Sequence, residues 1–140
     1  MESSMPFNPP YVTAGTAGVL LLMQMALLLR VVILRRRNRQ SLGDGGHDDL
    51  LRAVRRHGNL AENAAMFLVC FALFELTGGP RRVLVFMCAT FVVARISHAV
   101  GLSTRKTVNL ARVGGIVLTV FVGVGLGWRL VVHAASRLFL

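Results

Sequence analysis

The sequence predicts an all-α protein built into a membrane: an integral four-helix bundle of up-and-down topology, forming one domain over residues 1–140. Three observations predict it. Hydrophobic residues make up 54% of the 140-residue chain and the mean hydropathy is +0.62, values that fit a polytopic membrane protein better than a soluble domain. Four apolar segments, Val12 to Leu29, Leu60 to Thr77, Val83 to Val100 and Val113 to Val132, approach the roughly 20 residues a helix needs to cross hydrocarbon with its backbone polar groups satisfied internally. The turn between the second and third is short, which makes those two helices antiparallel neighbours.

The first helix is expected over about 11–38. It carries no charge from Val12 to Leu29, then continues through Leu27 to Arg37 without Gly or Pro while turning strongly basic, so its end projects into the cytoplasm. The residues before it hold Glu2 but no Lys or Arg, and no Ala-x-Ala-like site follows, so the segment is expected to be retained. Gly43, Asp44, Gly45 and Gly46 supply turn positions in the first loop, with Asp48 as N-cap of helix two and Asp49 in its first turn. Helix two, about 49–77, stops at Gly78-Gly79-Pro80, where glycine ends one helix and proline enters the first turn of the next. Helix three covers about 81–101. Gly101, Ser103 and Thr104 provide the next stop and cap, and helix four runs over about 105–134. Along it Ala111, Gly115, Thr119, Gly123 and Gly127 recur every four residues, a strip of small side chains that lets another helix approach closely, within one subunit or between subunits.

The net charge of +10 and the isoelectric point near 11.7 would suggest nucleic-acid binding in a soluble protein, but here the charge gathers in loops. Arg30, Arg35, Arg36, Arg37, Arg39, Arg52, Arg55 and Arg56 surround loop one, and Arg105, Lys106 and Arg112 surround loop three; loop two has only Arg81 and Arg82. The positive-inside rule then places loops one and three in the cytoplasm and both termini on the other side. The basic run is read as a topology signal that contacts anionic membrane lipids, and no nucleic-acid partner is expected. Cys70 and Cys88 lie in apolar segments as small hydrophobes, and His47, His57, His98 and His133 lack metal-ligand spacing, so no metal is expected.

The chemistry-bearing stretch is in helix two. At 100° per residue, Arg52, Arg55, Asn59 and Glu62 share a stripe less than a quarter-turn wide, carrying polar groups from the surface into the bilayer. Glu62 is the costly member, because an intramembrane carboxylate needs a partner or a cavity. An Arg55 to Glu62 ion-pair network that only locks helices is the plainer alternative. Arg95 and His98, three residues apart, form a second polar face at the same end of helix three; an anchoring arginine is the alternative there. Glu75 lies near the opposite end of helix two, on a different face, and is left out of the site.

The pattern Arg52-x-x-Arg55-x-x-x-Asn59-x-x-Glu62, followed by Arg95-x-x-His98, resembles the membrane-associated proteins in eicosanoid and glutathione metabolism, the MAPEG family, in its bacterial branch. The likeness covers about Tyr11 to Val132. It implies a homotrimer, in the inner membrane if bacterial, that binds glutathione as co-substrate at subunit interfaces in the cytoplasmic half of the bilayer. The site would open sideways to admit a lipophilic small-molecule substrate. Arg52 or Arg55 suits the peptide's carboxylates and Glu62 its ammonium, with Asn59 as donor and acceptor. The resemblance further implies His98 as a contact from a neighbouring subunit, Arg35 or Arg36 as the arginine at the end of helix one, and Arg112 as the cation that stabilises the thiolate. The implied activity is that of a glutathione transferase or peroxidase acting on lipophilic electrophiles or lipid hydroperoxides. Asn63, Ala65 and Leu102 depart from the family's tyrosine, proline and second aromatic hydroxyl. Those missing hydroxyls favour the alternative of a non-catalytic trimeric scaffold. A small multidrug exporter ranks lower, since helix one carries no acid.

Overall fold

The computed structural model describes residues 9–103 and 109–139. Four helices, each long and apolar enough to cross a membrane, account for nearly all of them: α1 Tyr11–Arg37, α2 Asp48–Leu76, α3 Arg81–Gly101 and α4 Leu110–Phe139. The bundle is a rhombus in cross-section. Helix α3 packs most extensively on α4 and α1 on α2, while α2 and α3 meet along the short diagonal; α1 and α4 share no contact among the described residues. The central layer is therefore α2 and α3, and α3 is the most buried of the four.

Each boundary has a local cause. Helix α1 ends in Arg35, Arg36 and Arg37, cations that complement the negative end of the helix dipole. Arg35 Nη1 then turns back to donate to the carbonyls of Ser41 (3.0 Å) and Gly43 (3.1 Å), closing the first loop. Helical geometry in α2 starts at Asp48 with His47 in the N-cap position, one residue earlier than expected, and no side chain caps it. Asp48 is drawn into the helix by its i,i+4 ion pair with Arg52 at 3.6 Å. Gly78, at φ 83°, ends α2. Pro80 precedes α3 as its N-cap instead of entering its first turn, and its extended ψ of 119° sets the turn between the two helices.

The cap of α4 differs from expectation. Asn109 Oδ1 accepts the Arg112 amide at 2.8 Å, while its Nδ2 donates to the Gly101 carbonyl at 2.8 Å, so one side chain starts α4 and finishes α3. Ser103 instead bonds back to Ala99 of α3. Thr104 and the expected start of helix four at 105 lie outside the described residues. At its far end α4 runs on to Phe139, past the expected 134, because no glycine or proline follows Gly127.

The start of α1 is capped from a distance. Glu75 Oε1 accepts the Val12 amide at 2.9 Å, and Oε2 accepts the Thr13 amide at 2.8 Å and hydroxyl at 2.7 Å. This explains a carboxylate near the end of α2: it satisfies first-turn amides and faces the positive end of α1. Glu75→Gln is expected to lower stability by about 1–2 kcal/mol, measured by unfolding in mixed detergent micelles. An unchanged midpoint would show that the charge is irrelevant to the cap.

The core below this cap is apolar. Leu20, Phe71, Leu84, Phe91, Val122 and Leu126 are fully buried, and Phe67 stacks on Phe91 with ring centroids 4.1 Å apart. A second, smaller cluster of Val31, Leu34, Leu50 and Ala53 joins α1 to α2 near loop one.

Candidate functional site

The polar centre of the bundle is built around Arg95, only 4% exposed. Its guanidinium carbon lies 5.5 Å from the centre of the Phe91 ring, so the aromatic stack forms its floor. Nη1 donates to Asn59 Oδ1 of α2 at 2.9 Å, and Nη2 donates to Thr119 Oγ1 and, at 3.4 Å, to the Gly115 carbonyl of α4. One side chain thereby ties three helices together with no carboxylate paired to it among the described residues. The Thr119 hydroxyl in turn donates to Gly115 at 2.7 Å.

This geometry depends on close approach of α3 and α4. A Cβ on Gly115 would lie 2.7 Å from the Ala94 carbonyl and 2.8 Å from His98, and one on Gly101 would lie 2.5 Å from the Arg112 amide. Ser97 Oγ donates to the Ala111 carbonyl across the same seam at 2.8 Å. The small-residue strip of helix four thus serves packing inside the subunit at Ala111, Gly115 and Thr119. Gly127 has open space where a Cβ would stand.

Between α2 and α3 lies a crevice too narrow to admit a water molecule, lined by Arg56, Asn59, Leu60, Arg95, His98 and Ala99. Three buried nitrogens on its walls, Arg56 Nε, Arg95 Nε and His98 Nδ1, have no hydrogen-bond partner among the described residues. Arg56 reaches across the crevice mouth to Ser103 Oγ at 2.6 Å. The His98 ring lies beside the Arg112 backbone, so the first turn of α4 borders the same region.

The sequence-derived residues divide into groups. Asn59, Arg95 and His98 come together at the crevice. Arg52 is half-buried and paired with Asp48; Arg55 and Glu62 are exposed on the outer edge of the stripe, without an ion pair to one another. Arg35 holds loop-one carbonyls and Arg36 is exposed. Arg112 is half-buried at the third position of α4. Arg56 and Thr119 belong to this network although the pattern did not single them out. Arg56 falls only about 40° from Arg52 around the helix, which was the available signal. Thr119 was visible as the one hydroxyl among small residues of the strip.

Four membrane-length helices, three of them tied by a buried arginine, define a polytopic membrane protein with a polar site toward one end of a largely apolar bundle. The MAPEG family pattern matches residues 13–132, and the chain belongs to that family. It is 33% identical over 95 residues to inner membrane protein YecN of Escherichia coli strain K12, covering 67% of this chain and 72% of that protein. The same figures hold for YecN of Escherichia coli O6:H1 strain CFT073. No solved structure matches the chain.

Proposed function

We propose that this protein is a membrane-bound, glutathione-dependent transferase or peroxidase acting on lipophilic electrophiles or lipid hydroperoxides. In this reading it works as a homotrimer in the inner membrane, with loops one and three on the cytoplasmic side. The observation that carries the reading is the closed polar seam between α2 and α3, where nitrogens of Arg56, Arg95 and His98 with no partner among the described residues stand beside Asn59; a ligand would reach them by parting the two helices. Buried donors without acceptors are costly unless a ligand supplies the acceptors, and a peptide offers carboxylates and carbonyls.

Arg55 and Glu62 face away from the crevice of their own chain. A second subunit packed on that face would bring them to a shared site, the guanidiniums of Arg52 and Arg55 receiving carboxylates and Glu62 the ammonium. Arg95 would hold Asn59 in place, and Arg35 would fix the loop that borders the site. Arg112, in the first turn of α4, would stabilise a thiolate with both its guanidinium and the positive end of that helix. In conjugation the thiol loses its proton to water, sulfur bonds to the electrophilic carbon, and the leaving group departs with the bonding electrons. In the peroxidase branch two glutathiones are oxidised to the disulfide while the hydroperoxide is reduced to alcohol and water.

Calorimetry of glutathione binding to detergent-purified protein tests the reading. Arg55→Ala and Glu62→Gln are each expected to weaken saturable binding by about tenfold or more with the oligomer intact. Wild-type affinity in both variants would remove the helix-two stripe from the site. A second reading, a non-catalytic scaffold of the same fold, is favoured by one feature: Asn63 donates to its own helix, at the Asn59 carbonyl (2.8 Å), where the family commonly has a tyrosine. Binding without turnover of a generic electrophile would select it.

A further inference from the structure

At the end of the bundle that carries loop one, arginines of two helices gather around Arg56. This side chain of α2 lies within electrostatic reach of Arg30 of α1 and of Arg52, one turn earlier on its own helix. Arg30 is exposed and makes no hydrogen bond or ion pair with any described residue. Arg56 is half-buried; its Nη1 donates to Ser103 Oγ at 2.6 Å, while its Nη2 has no partner among the described residues. The acids of this end are engaged elsewhere: Asp48 pairs with Arg52, Asp44 accepts the Gly46 amide and Asp49 the Leu50 amide. No carboxylate among the described residues pairs with Arg30 or Arg56. Like charges held this close, one of them partly withdrawn from water, repel each other unless an external anion joins them.

These groups stand at one level of the bundle. Arg30 directly follows the uncharged run Val12 to Leu29, Arg56 lies one turn before the apolar run that opens at Leu60, and Ser103 lies just past the end of α3. In a membrane that level is the boundary between hydrocarbon and water, where headgroup phosphates lie. Helices α1 and α3 pack on each other, and each presents apolar residues below the polar group it carries. Ala26 and Met23 stand one and two turns before Arg30, and Ile96, 48% exposed, stands two turns before Ser103. Acyl chains cover such surface, so a phosphate at this level arrives attached to a lipid.

We propose that Arg30 and Arg56 form a binding site for the headgroup of one anionic phospholipid, its phosphodiester bridging the two guanidiniums with Arg52 adding to the field. Arginine pairs with phosphate through charge-assisted bonds in a fork geometry, and a phosphate has oxygens enough to accept from two guanidiniums at once. The site differs from the basic run at the end of α1. There Arg35 is held by loop carbonyls and its neighbours follow one another along the chain, whereas Arg30 and Arg56 come from different helices and meet only in the folded bundle. The proposal does not rest on the glutathione reading, which uses Arg56 through its buried Nε and leaves Arg30 out.

Native mass spectrometry of the full-length, delipidated protein in detergent counts the lipids retained per chain. Phosphatidylglycerol and phosphatidylcholine with the same acyl chains share the phosphodiester and differ in net charge. One phosphatidylglycerol per chain is expected to saturate at a concentration at least about fivefold below that needed for phosphatidylcholine. Arg30→Gln should remove this preference, and because Arg30 is exposed and bonded to no described residue the variant keeps the wild-type fold, checked by circular dichroism. Arg82→Gln removes one exposed arginine from the opposite end and should leave the preference intact. Equal retention of the two lipids by the wild type would overturn the proposal. Equal loss of preference in the two variants would show a diffuse effect of net charge and overturn it as well. Inorganic phosphate that binds the wild type but not Arg30→Gln, and displaces phosphatidylglycerol completely, would reassign the site to a soluble anion.

Discussion

Gly115→Ala is expected to destabilise the bundle by about 1–3 kcal/mol, although it adds a single methyl and favours helix formation in isolation. The new carbon would stand 2.7 Å from the Ala94 carbonyl oxygen and 2.8 Å from the His98 amide nitrogen. Neither neighbour is the end of a flexible side chain that can swing aside, so α3 and α4 must separate. Separation lengthens the Arg95 contacts to Thr119 and Gly115 and displaces His98 from the crevice, so the proposed glutathione binding should weaken with stability. Gly127→Ala is the internal control: the same substitution on the same helix, with nothing within 4 Å, should leave the unfolding midpoint unchanged or slightly raised. Unfolding in mixed micelles followed by circular dichroism measures both. Equal midpoints for the two variants would mean that the α3/α4 seam has slack enough to absorb a methyl, and the packing argument would fail.

Arg95→Met separates folding from ligand recognition. A buried guanidinium held by neutral acceptors alone is an expensive way to join helices, and replacing buried charge with an apolar side chain of similar volume is often neutral or stabilising. Thr119 keeps its bond to Gly115 in the variant; Asn59 loses its anchor but can turn toward the crevice. Stability is therefore expected within about 1 kcal/mol of wild type or above it, while glutathione affinity falls about 10- to 100-fold as Asn59 loses its orientation. Arg95→Lys, which keeps the charge and one bond, should fall between. A variant that binds normally but unfolds several kcal/mol earlier would make Arg95 a structural tie and nothing more.

Much of the fold was legible because a membrane enforces simple rules. The apolar runs gave four helices, and the loop glycines and proline gave their approximate ends. What the sequence obscured were partners distant in the chain. Glu75 could be set apart from the site by its position, but the α1 amides that donate to it lie 62 and 63 residues away, and no local pattern points to them. The capping role of Asn109 is masked in the sequence by Ser103 and Thr104, which stand nearer to the glycine that ends α3. In the candidate site, helical periodicity put Arg52, Arg55, Asn59 and Glu62 on one stripe, yet a stripe about 80° wide can straddle the boundary between inside and outside. Asn59 turns inward and Glu62 outward. Which edge faces a neighbouring helix is set by packing of α2 on α3, and periodicity carries no information about that.

The distant cap on α1 has a consequence for biogenesis. Helix one is made first, whereas Glu75 is added 63 residues after Val12, which at about 5–20 residues per second amounts to roughly 3–13 s of synthesis. During that interval the leading amides of the nascent segment must be solvated by water or headgroups. The first hairpin, rather than the first helix, is therefore the smallest unit that the insertion machinery can release with its polar backbone satisfied by protein alone.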